Sequence, residues 1–232
     1  MIYNKPGNHF ATTMKAAAEG GMTMKIWDIS MNIKPWMTVY KNRDENRPVF
    51  TVARDHTGGS AYETRVTLHL HTGTHVDAPL HILEDGSTIE KMELDRLLTR
   101  CRVLDLGNVE DRITRQDLEG MRIEANDFLL LKTRNSQTDT FDYGFVYLDE
   151  SGAQYLRDKK VKGVGIDSLG IERDQPGHPT HRILMNAGII ILEGLRLAHV
   201  SAGEYTLIAL PLKLDGLEAS PVRAVLIQPP IA

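Results

Sequence analysis

The chain has 232 residues, of which 41% are hydrophobic and 25% are charged, as expected for one large globular domain. The net charge of −4 gives no attraction to nucleic acid or to an anionic membrane, so neither is predicted as a partner. No apolar run of 18 residues and no signal-peptide core is found, and the single cysteine, Cys101, excludes an internal disulfide. A cytoplasmic protein that acts on a small molecule is therefore expected.

The N-terminal third of the chain is irregular. Residues 1–23 show no clear period and are predicted to be a poorly ordered extension, which leaves one domain over 24–232. The domain begins with a strand at 25–30 and continues into a loop-rich stretch. Two aromatic residues of that stretch, Trp36 and Tyr40, are candidates for a substrate-binding wall, because ligand pockets are mostly apolar and aromatic. Packing in the core is the alternative for both.

The next stretch is predicted to carry a metal site. Residues 63–71 alternate between apolar and polar side chains, which predicts a half-buried strand. Residues 71–81 follow as H-T-G-T-H-V-D-A-P-L-H, with three histidines and one aspartate. His75 and Asp77 lie two apart in an extended segment and therefore share a face. Imidazole nitrogens with a carboxylate suit Zn, Mn or Fe(II), and three ligands leave positions open for water.

The remainder of the chain alternates apolar strands with short helices. A helix is predicted over 89–98 from its apolar spacing, and Asp149 and Pro179 are predicted to begin two more helices. The polar loop 133–143 brings Phe141 to the border of the pocket as a further substrate-binding candidate. Strands are predicted at 101–106, 127–132, 163–167, 206–210 and 222–228. This order predicts an α/β fold with a mixed sheet, and the short strands over 25–71 predict an additional β-layer.

The histidine-rich segment resembles the H-x-G-T-H-x-D-x-P-x-H signature of the cyclase family of metal-dependent hydrolases, which includes bacterial kynurenine formamidase and isatin hydrolase. Every fixed position matches: His71, Gly73, Thr74, His75, Asp77, Pro79 and His81. The resemblance extends from about Ile26 to Ile227 and implies a swivelling β/β/α-type architecture. The stretch K-N-R-D-E-N-R-P, residues 41–48, stands where the family often carries a proline-glycine turn.

The resemblance also implies the rest of the site. A single ion, Zn or Mn, with three ligands would satisfy the motif alone, whereas the resemblance implies two ions, held by His71, His75 and Asp77 together with one histidine and one glutamate from the C-terminal half. Those two residues are predicted to be His181 and Glu193, with His178 as a neighbour that could be confused with His181. A carboxylate within the apolar strand around Glu193 is costly unless it is paired or bound to metal. The family assigns the histidine that matches His81 the role of general acid/base, and His69 is either a supporting or a packing residue.

Three functions are weighed from the sequence. The first is hydrolysis of N-formylkynurenine to kynurenine and formate in tryptophan catabolism. The second is opening of a cyclic amide as in isatin hydrolase, or hydrolysis of another small amide or lactone. The third is a metal-binding protein without turnover, against which the open ligand set and the additional His81 argue, because structural zinc sites are usually closed. Relatives with this signature imply a homo-oligomer, a dimer or tetramer.

Overall fold

The computed structural model describes residues 11–15 and 23–230, and within them the chain forms fourteen strands and three α-helices. The strands are β1 (Ala11–Lys15), β2 (Thr23–Asp28), β3 (Val49–Arg54), β4 (Glu63–Thr67), β5 (His75–Asp77), β6 (Leu98–Asp105), β7 (Arg112–Ile113), β8 (Phe128–Lys132), β9 (Tyr147–Leu148), β10 (Gly163–Ile166), β11 (Ile190–Glu193), β12 (Gly203–Ile208), β13 (Ala219–Pro221) and β14 (Val225–Gln228). The helices are α1 (Arg115–Glu119), α2 (Glu150–Asp158) and α3 (Pro179–Asn186). None of the helices in this part of the chain is long and apolar enough to cross a membrane.

One mixed sheet of ten strands organises the described residues. Its order is β1-β2-β14-β12-β6-β8-β10-β11-β5-β13. The central strands β6, β8, β10 and β11 are parallel, whereas β5 pairs antiparallel with β11 on one side and with β13 on the other. The predicted α/β fold with a mixed sheet is confirmed.

Of the central strands, β8, β10 and β11 are buried on both faces. In β8, Leu129 and Leu131 belong to a core cluster that includes residues of all three helices, whereas Phe128 and Leu130 belong to a second cluster on the opposite face. A strand covered on both faces is apolar throughout, which explains the continuous apolar run at this position of the sequence. A polar side chain in such a strand therefore needs a specific partner.

Most of the predicted elements are present. The helix after Asp149 begins with the Asp149 side chain accepting from the Gly152 amide, and Pro179 occupies the first turn of α3. The predicted helix over 89–98 is wrong. Two single 3₁₀ turns replace it, because the extended backbone of Met92 and Glu93 interrupts the helical path. Ile89 and Leu97 are the buried positions of that stretch, so its apolar spacing reflects two separate anchors in the core.

The segment before the histidine cluster also differs from the prediction. Strand β4 ends at Thr67 and pairs only with β3, and every residue of this two-stranded hairpin is exposed. The half-buried strand predicted over 63–71 is therefore wrong. Alternation identified the strand, but no other element of the described structure covers its apolar face. At the N-terminus, residues 11–15 add β1 to the edge of the main sheet and Thr23 begins β2, whereas residues 1–10 and 16–22 of the predicted extension lie outside the described residues.

Candidate metal centre

The pairing of β5 with β11 places three of the predicted ligands on one face of the sheet. Val76 belongs to the core cluster away from the helices, so His75 and Asp77, its neighbours on either side, point towards the helices. Glu193 lies directly opposite His75 in the antiparallel register, so it shares their face. All three side chains are buried. Two short buried strands thus bring an imidazole and two carboxylates together inside the core.

The polar atoms of this group are oriented towards one another. His75 Nε2 lies 3.3 Å from Glu193 Oε2 and 3.4 Å from Asp77 Oδ1. Within the described residues, His75 Nε2 and both carboxylate oxygens of Asp77 are buried and make no hydrogen bond. Buried polar atoms without hydrogen bonds are costly in a folded protein, whereas a metal ion would satisfy all of them at once. The donor set, imidazole nitrogen and carboxylate oxygen, fits a divalent transition metal.

His71 joins the group from the turn that precedes β5. Its Nδ1 lies 3.0 Å from Asp77 Oδ1. The turn is fixed by Gly73, whose φ of 67° is readily accessible to glycine, and by His75 Nδ1, which donates to Gly73 O at 2.9 Å. Because a carbonyl oxygen only accepts, the proton is on Nδ1 and Nε2 faces the carboxylates. This hydrogen bond orients the His75 ring as a metal ligand requires.

Helix α3 carries His181, which lies on the same face of the sheet as His75, Asp77 and Glu193. His181 Nε2 lies 3.4 Å from Glu193 Oε1 and 3.8 Å from Asp77 Oδ2. Its other ring nitrogen, Nδ1, lies 2.9 Å from Glu172 Oε1, and the second oxygen of Glu172 accepts from the Thr180 amide at 2.9 Å. A buried carboxylate against the far nitrogen of a ligand histidine is the common way to fix the orientation of the ring.

Asp77 connects two ligand groups. Its Oδ1 faces His71 and His75, whereas its Oδ2 faces His181. Two sets of closely spaced ligand atoms, one with His71, His75 and Asp77 and one with Asp77, His81 and His181, share this carboxylate. Asp77 is therefore the residue that the two sets have in common.

His81 belongs to the second of these sets and lies beside the first. It ends a single 3₁₀ turn, Pro79–His81, which begins after the extended residue Ala78. Its ring centroid lies 4.2 Å from that of His71 and 5.6 Å from that of His181. The ring is in reach of both ligand groups and also borders the cavity above them. His69, by contrast, is exposed; its Nδ1 accepts from the His71 amide at 3.4 Å, and its ring centroid lies 5.4 Å from that of His71.

The charges of the group are balanced internally. Burial opposes the imidazolium form of His75, but contact with Glu193 and the charge of Asp77 outweigh it and raise the pKa of His75 to about 9. Burial is likewise outweighed at His181, where Glu172 and Glu193 raise the pKa to about 10. Burial works against ionisation of Glu193 too, yet His181 and His75 hold its pKa well below the usual range. Because a histidine binds a metal ion only as the neutral imidazole, binding an ion here releases protons from the two imidazolium rings.

A cavity of about 330 Å³ opens above the ligand group. It is bordered by His71, His81 and His181 at its base and by Tyr40 on its wall. Phe141 lines an adjacent cavity of about 380 Å³ and contacts Tyr40 edge to face, with ring centroids 5.5 Å apart. Trp36 is 55% exposed and is absent from the described lining of both cavities. Of the three predicted substrate-binding residues, the structure therefore brings Tyr40 and Phe141 together and leaves Trp36 apart.

Glu172 is the residue of this site that the sequence analysis missed. It lies in the loop I-E-R-D-Q-P-G-H before α3, where charged residues are common and no periodicity marks burial. Its side chain is nevertheless buried and contacts both His181 and His178, the latter at 2.7 Å from Nδ1. His178 itself is half exposed. It therefore contacts Glu172 from the solvent side, whereas His181 lies in the ligand group.

The chain is similar to several known proteins. Residues 27–173 match the "Putative cyclase" family. The kynurenine formamidase of Salinibacter ruber is 34% identical over 206 residues, which cover 88% of this chain and 97% of that protein. A solved structure described as a potential metal-dependent hydrolase with cyclase activity is 47% identical, with a TM-score of 0.83 over 88% of this chain and 98% of its own. Isatin hydrolase A of Labrenzia aggregata, 23% identical, shares the fold with a TM-score of 0.78 over 88% of this chain and 93% of its own.

Proposed function

Since the chain belongs to the cyclase family of metal-dependent hydrolases and is an amidohydrolase of that family, we propose that it hydrolyses N-formylkynurenine to kynurenine and formate. The observation that carries the proposal is the pair of ligand groups sharing Asp77 beneath a cavity with an aromatic wall. The substrate is an aryl formamide, so it offers a small carbonyl for the ligand group and a flat ring for Tyr40.

We propose that His71, His75 and Asp77 hold one divalent ion and that Asp77, His181 and Glu193 hold a second. Bound there, Zn or Mn lowers the pKa of water towards about 7 and polarises the amide carbonyl. The protein keeps the ligands in place through Gly73 O on His75 and Glu172 on His181. The positive charge of the ions then compensates the two carboxylates, and coordination gives the buried imidazole and carboxylate atoms a partner, which offsets the free-energy cost of burying them.

His81 is proposed to move the proton. It borders the cavity, and although it lies close enough to Asp77 and His181 to complete a set of three with them, Glu193 can supply the third ligand there instead. Water adds to the formyl carbon, the C–N bond breaks, and the nitrogen of the leaving aniline takes up the proton that water gave to His81. One histidine can perform both transfers because it acts first as base and then as acid.

The proposal is tested with the metal-loaded protein and two substrates. Formate release is measured with N-formylkynurenine and, separately, ring opening to isatinate is measured with isatin, a cyclic amide. Faster turnover of N-formylkynurenine is expected, and dialysis against a chelator should abolish it until Zn or Mn is restored. Full turnover in protein shown by elemental analysis to be metal-free would refute the metal requirement. Turnover of isatin but not of N-formylkynurenine would refute the proposed substrate and would show that the protein opens cyclic amides.

A further inference from the structure

A lysine and an aspartate face each other on the cavity that lies above the ligand group. Lys41 follows Tyr40 on one side of the cavity, and Asp174 lies on the loop before α3 on the other side. Lys41 Nζ is 3.0 Å from Asp174 Oδ1. The side chain of Lys41 is 29% exposed and that of Asp174 is 73% exposed. The pair therefore bridges two separate loops at the solvent side of the cavity.

These two residues supply the accessible charges of the cavity. Lys41 is the only lysine or arginine among the described residues that line it. The other carboxylates of the lining, Glu172 and Glu193, are buried against His178, His181 and His75. Asp174 is thus the one lining carboxylate, within the described chain, that stands in solvent. A ligand that enters meets a single ammonium and a single carboxylate side by side.

The backbone at both positions is held in an unusual conformation. Lys41 and Asp174 each have a φ of 55°, and Asn42 next to Lys41 has a φ of 52°. Residues other than glycine avoid this left-handed region, and such positions concentrate at binding sites. The Lys41 carbonyl also accepts a hydrogen bond from Tyr143 Oη at 3.1 Å, so a third loop supports this conformation. A surface ion pair adds little stability, so the Lys41–Asp174 pair alone does not offset the cost of holding these residues in the left-handed region.

Tyr40 connects the rim to the metal centre. Its pKa is raised, first by burial and then by the charges of Asp174, Glu193 and Glu172. The same phenol therefore lies near a rim carboxylate and near a carboxylate of the ligand group. The Lys41 ammonium is 5.6 Å from the centre of the Tyr40 ring. If the ring of an aryl amide substrate rests on Tyr40, its amide group lies towards the histidines and its other ring substituent lies towards the rim.

We propose that Lys41 and Asp174 form a subsite for an amino-acid zwitterion, with the α-carboxylate bound by Lys41 Nζ and the α-ammonium bound by Asp174. The inference rests on the proposed function and specifies its substrate class as aryl amides that carry a free α-amino acid. The exchange is balanced in charge, because one exposed ion pair opens and two ion pairs with the ligand replace it. A neutral cyclic amide such as isatin offers no partner for either residue, so the intact pair gives it no binding energy.

The experiment measures binding as well as turnover. The ligands are L-kynurenine and 2′-aminoacetophenone, which is the same aryl ketone without the amino acid, and calorimetry gives their Kd values with the metal-loaded protein. Lys41→Met and Asp174→Asn are each expected to weaken L-kynurenine binding about 10–100-fold, the usual effect of losing a charge-assisted contact. Binding of 2′-aminoacetophenone should change less than about 3-fold. Lys213→Met, an exposed lysine outside the cavity, is the control and should change neither value.

Turnover of the two matching formamides, N-formylkynurenine and N-(2-acetylphenyl)formamide, should follow the same pattern, with the loss in the variants appearing mainly in KM. The subsite is refuted if wild-type protein binds both aryl ketones equally, or if the variants weaken both ligands to the same extent. Selective binding of L-kynurenine without any formate release from N-formylkynurenine would instead refute the proposed function and leave the subsite supported. The two failures are therefore distinguishable.

Discussion

The backbone of Gly194 packs directly against the carbonyl group of Gly73. A β-carbon at Gly194 would overlap Gly73 O and lie 2.7 Å from the Gly73 carbonyl carbon. Gly194 follows the ligand Glu193, whereas Gly73 is the residue whose carbonyl orients His75. The contact therefore sets the distance between the strand that carries Glu193 and the turn that joins His71 to His75.

Replacing Gly194 with alanine should damage the metal centre specifically. The matched control is Gly188→Ala, because both glycines have a φ of 69° but a β-carbon at Gly188 meets no atom within 4 Å. Gly188→Ala should cost only the conformational penalty of about 1–2 kcal/mol in free energy of unfolding. Gly194→Ala should also lose bound metal and about 100-fold in kcat/KM, as a displacement near 1 Å is known to do. Equal metal content in the two variants would contradict this prediction.

Glu172 should act by holding His181 in place. Glu172→Gln keeps the size of the side chain but removes the negative charge 2.9 Å from His181 Nδ1. Loss of such a supporting carboxylate typically lowers metal affinity or activity about 10–100-fold. Metal affinity is measured by competition with a chromophoric chelator, beside kcat at saturating metal. Recovery of kcat at high metal concentration is expected, and an unchanged affinity would assign Glu172 a purely structural role.

Asp167 should make the stability of the fold depend on pH. It is buried, and although Thr133 Oγ1 and Ser136 Oγ donate to it, burial raises its pKa to about 6, above the value near 3.9 of an unfolded chain. The folded state then favours the protonated form, so this contribution is complete below about pH 4 and is lost as the pH rises through 6. At about 1.4 kcal/mol per pKa unit, the loss is about 3 kcal/mol.

Asp167→Asn cannot titrate and serves as the comparison. The free energy of unfolding is measured in urea at several pH values for both proteins, and the wild-type value is expected to fall relative to the variant between pH 4 and 7. A difference that stays constant across this range would show that Asp167 has the same pKa in both states.

The exposed hairpin is expected to join copies of the chain. Phe50, Val52 and Val66 lie on one face of β3–β4, since Phe50 is opposite Val66 in the register. Contiguous apolar side chains that a monomer leaves in water often mark an interface. Light scattering should give at least twice the 26.0 kDa mass of the chain. Val52→Glu should reduce that mass to one chain, whereas Thr51→Glu on the opposite face should not, and a monomeric wild type would contradict the prediction.

The ligand set shows which features the sequence made predictable. His71, His75 and Asp77 lie within seven residues, so a turn and a short strand are enough to place them together. The pairing of Glu193 with His75 depends on strands more than a hundred residues apart, and Glu193 was indicated by the family resemblance together with the cost of a carboxylate in an apolar strand. The burial of Glu172 has no such local signal, because it comes from how the loop before α3 folds over the sheet.

The hairpin shows a limit of a different kind. Alternation in residues 63–71 correctly indicated extended backbone, since period two is a property of the strand itself. Whether an apolar face is covered depends on what packs against it, and none of the described residues does so at β3–β4. In 89–98 the apolar spacing is produced by two separate core anchors, so periodicity over ten residues did not distinguish a helix from two turns.

His81 provides the test that separates a catalytic group from a ligand. Its ring borders the cavity, and it lies against His71 at 4.2 Å between ring centroids, while Asp77 already joins both ligand groups. If His81 transfers the proton, His81→Ala should keep nearly all bound metal and lose roughly 10²–10⁴-fold in kcat. His75→Ala and Asp77→Ala should lose metal and activity together. Each removes buried atoms that make no hydrogen bond within the described residues and that would instead bind the ion. Metal content by mass spectrometry is measured beside kcat for each variant. A His81→Ala protein as depleted of metal as His75→Ala would make His81 a ligand, and the proton donor would then have to be sought at His69 or His178, which both line the same cavity.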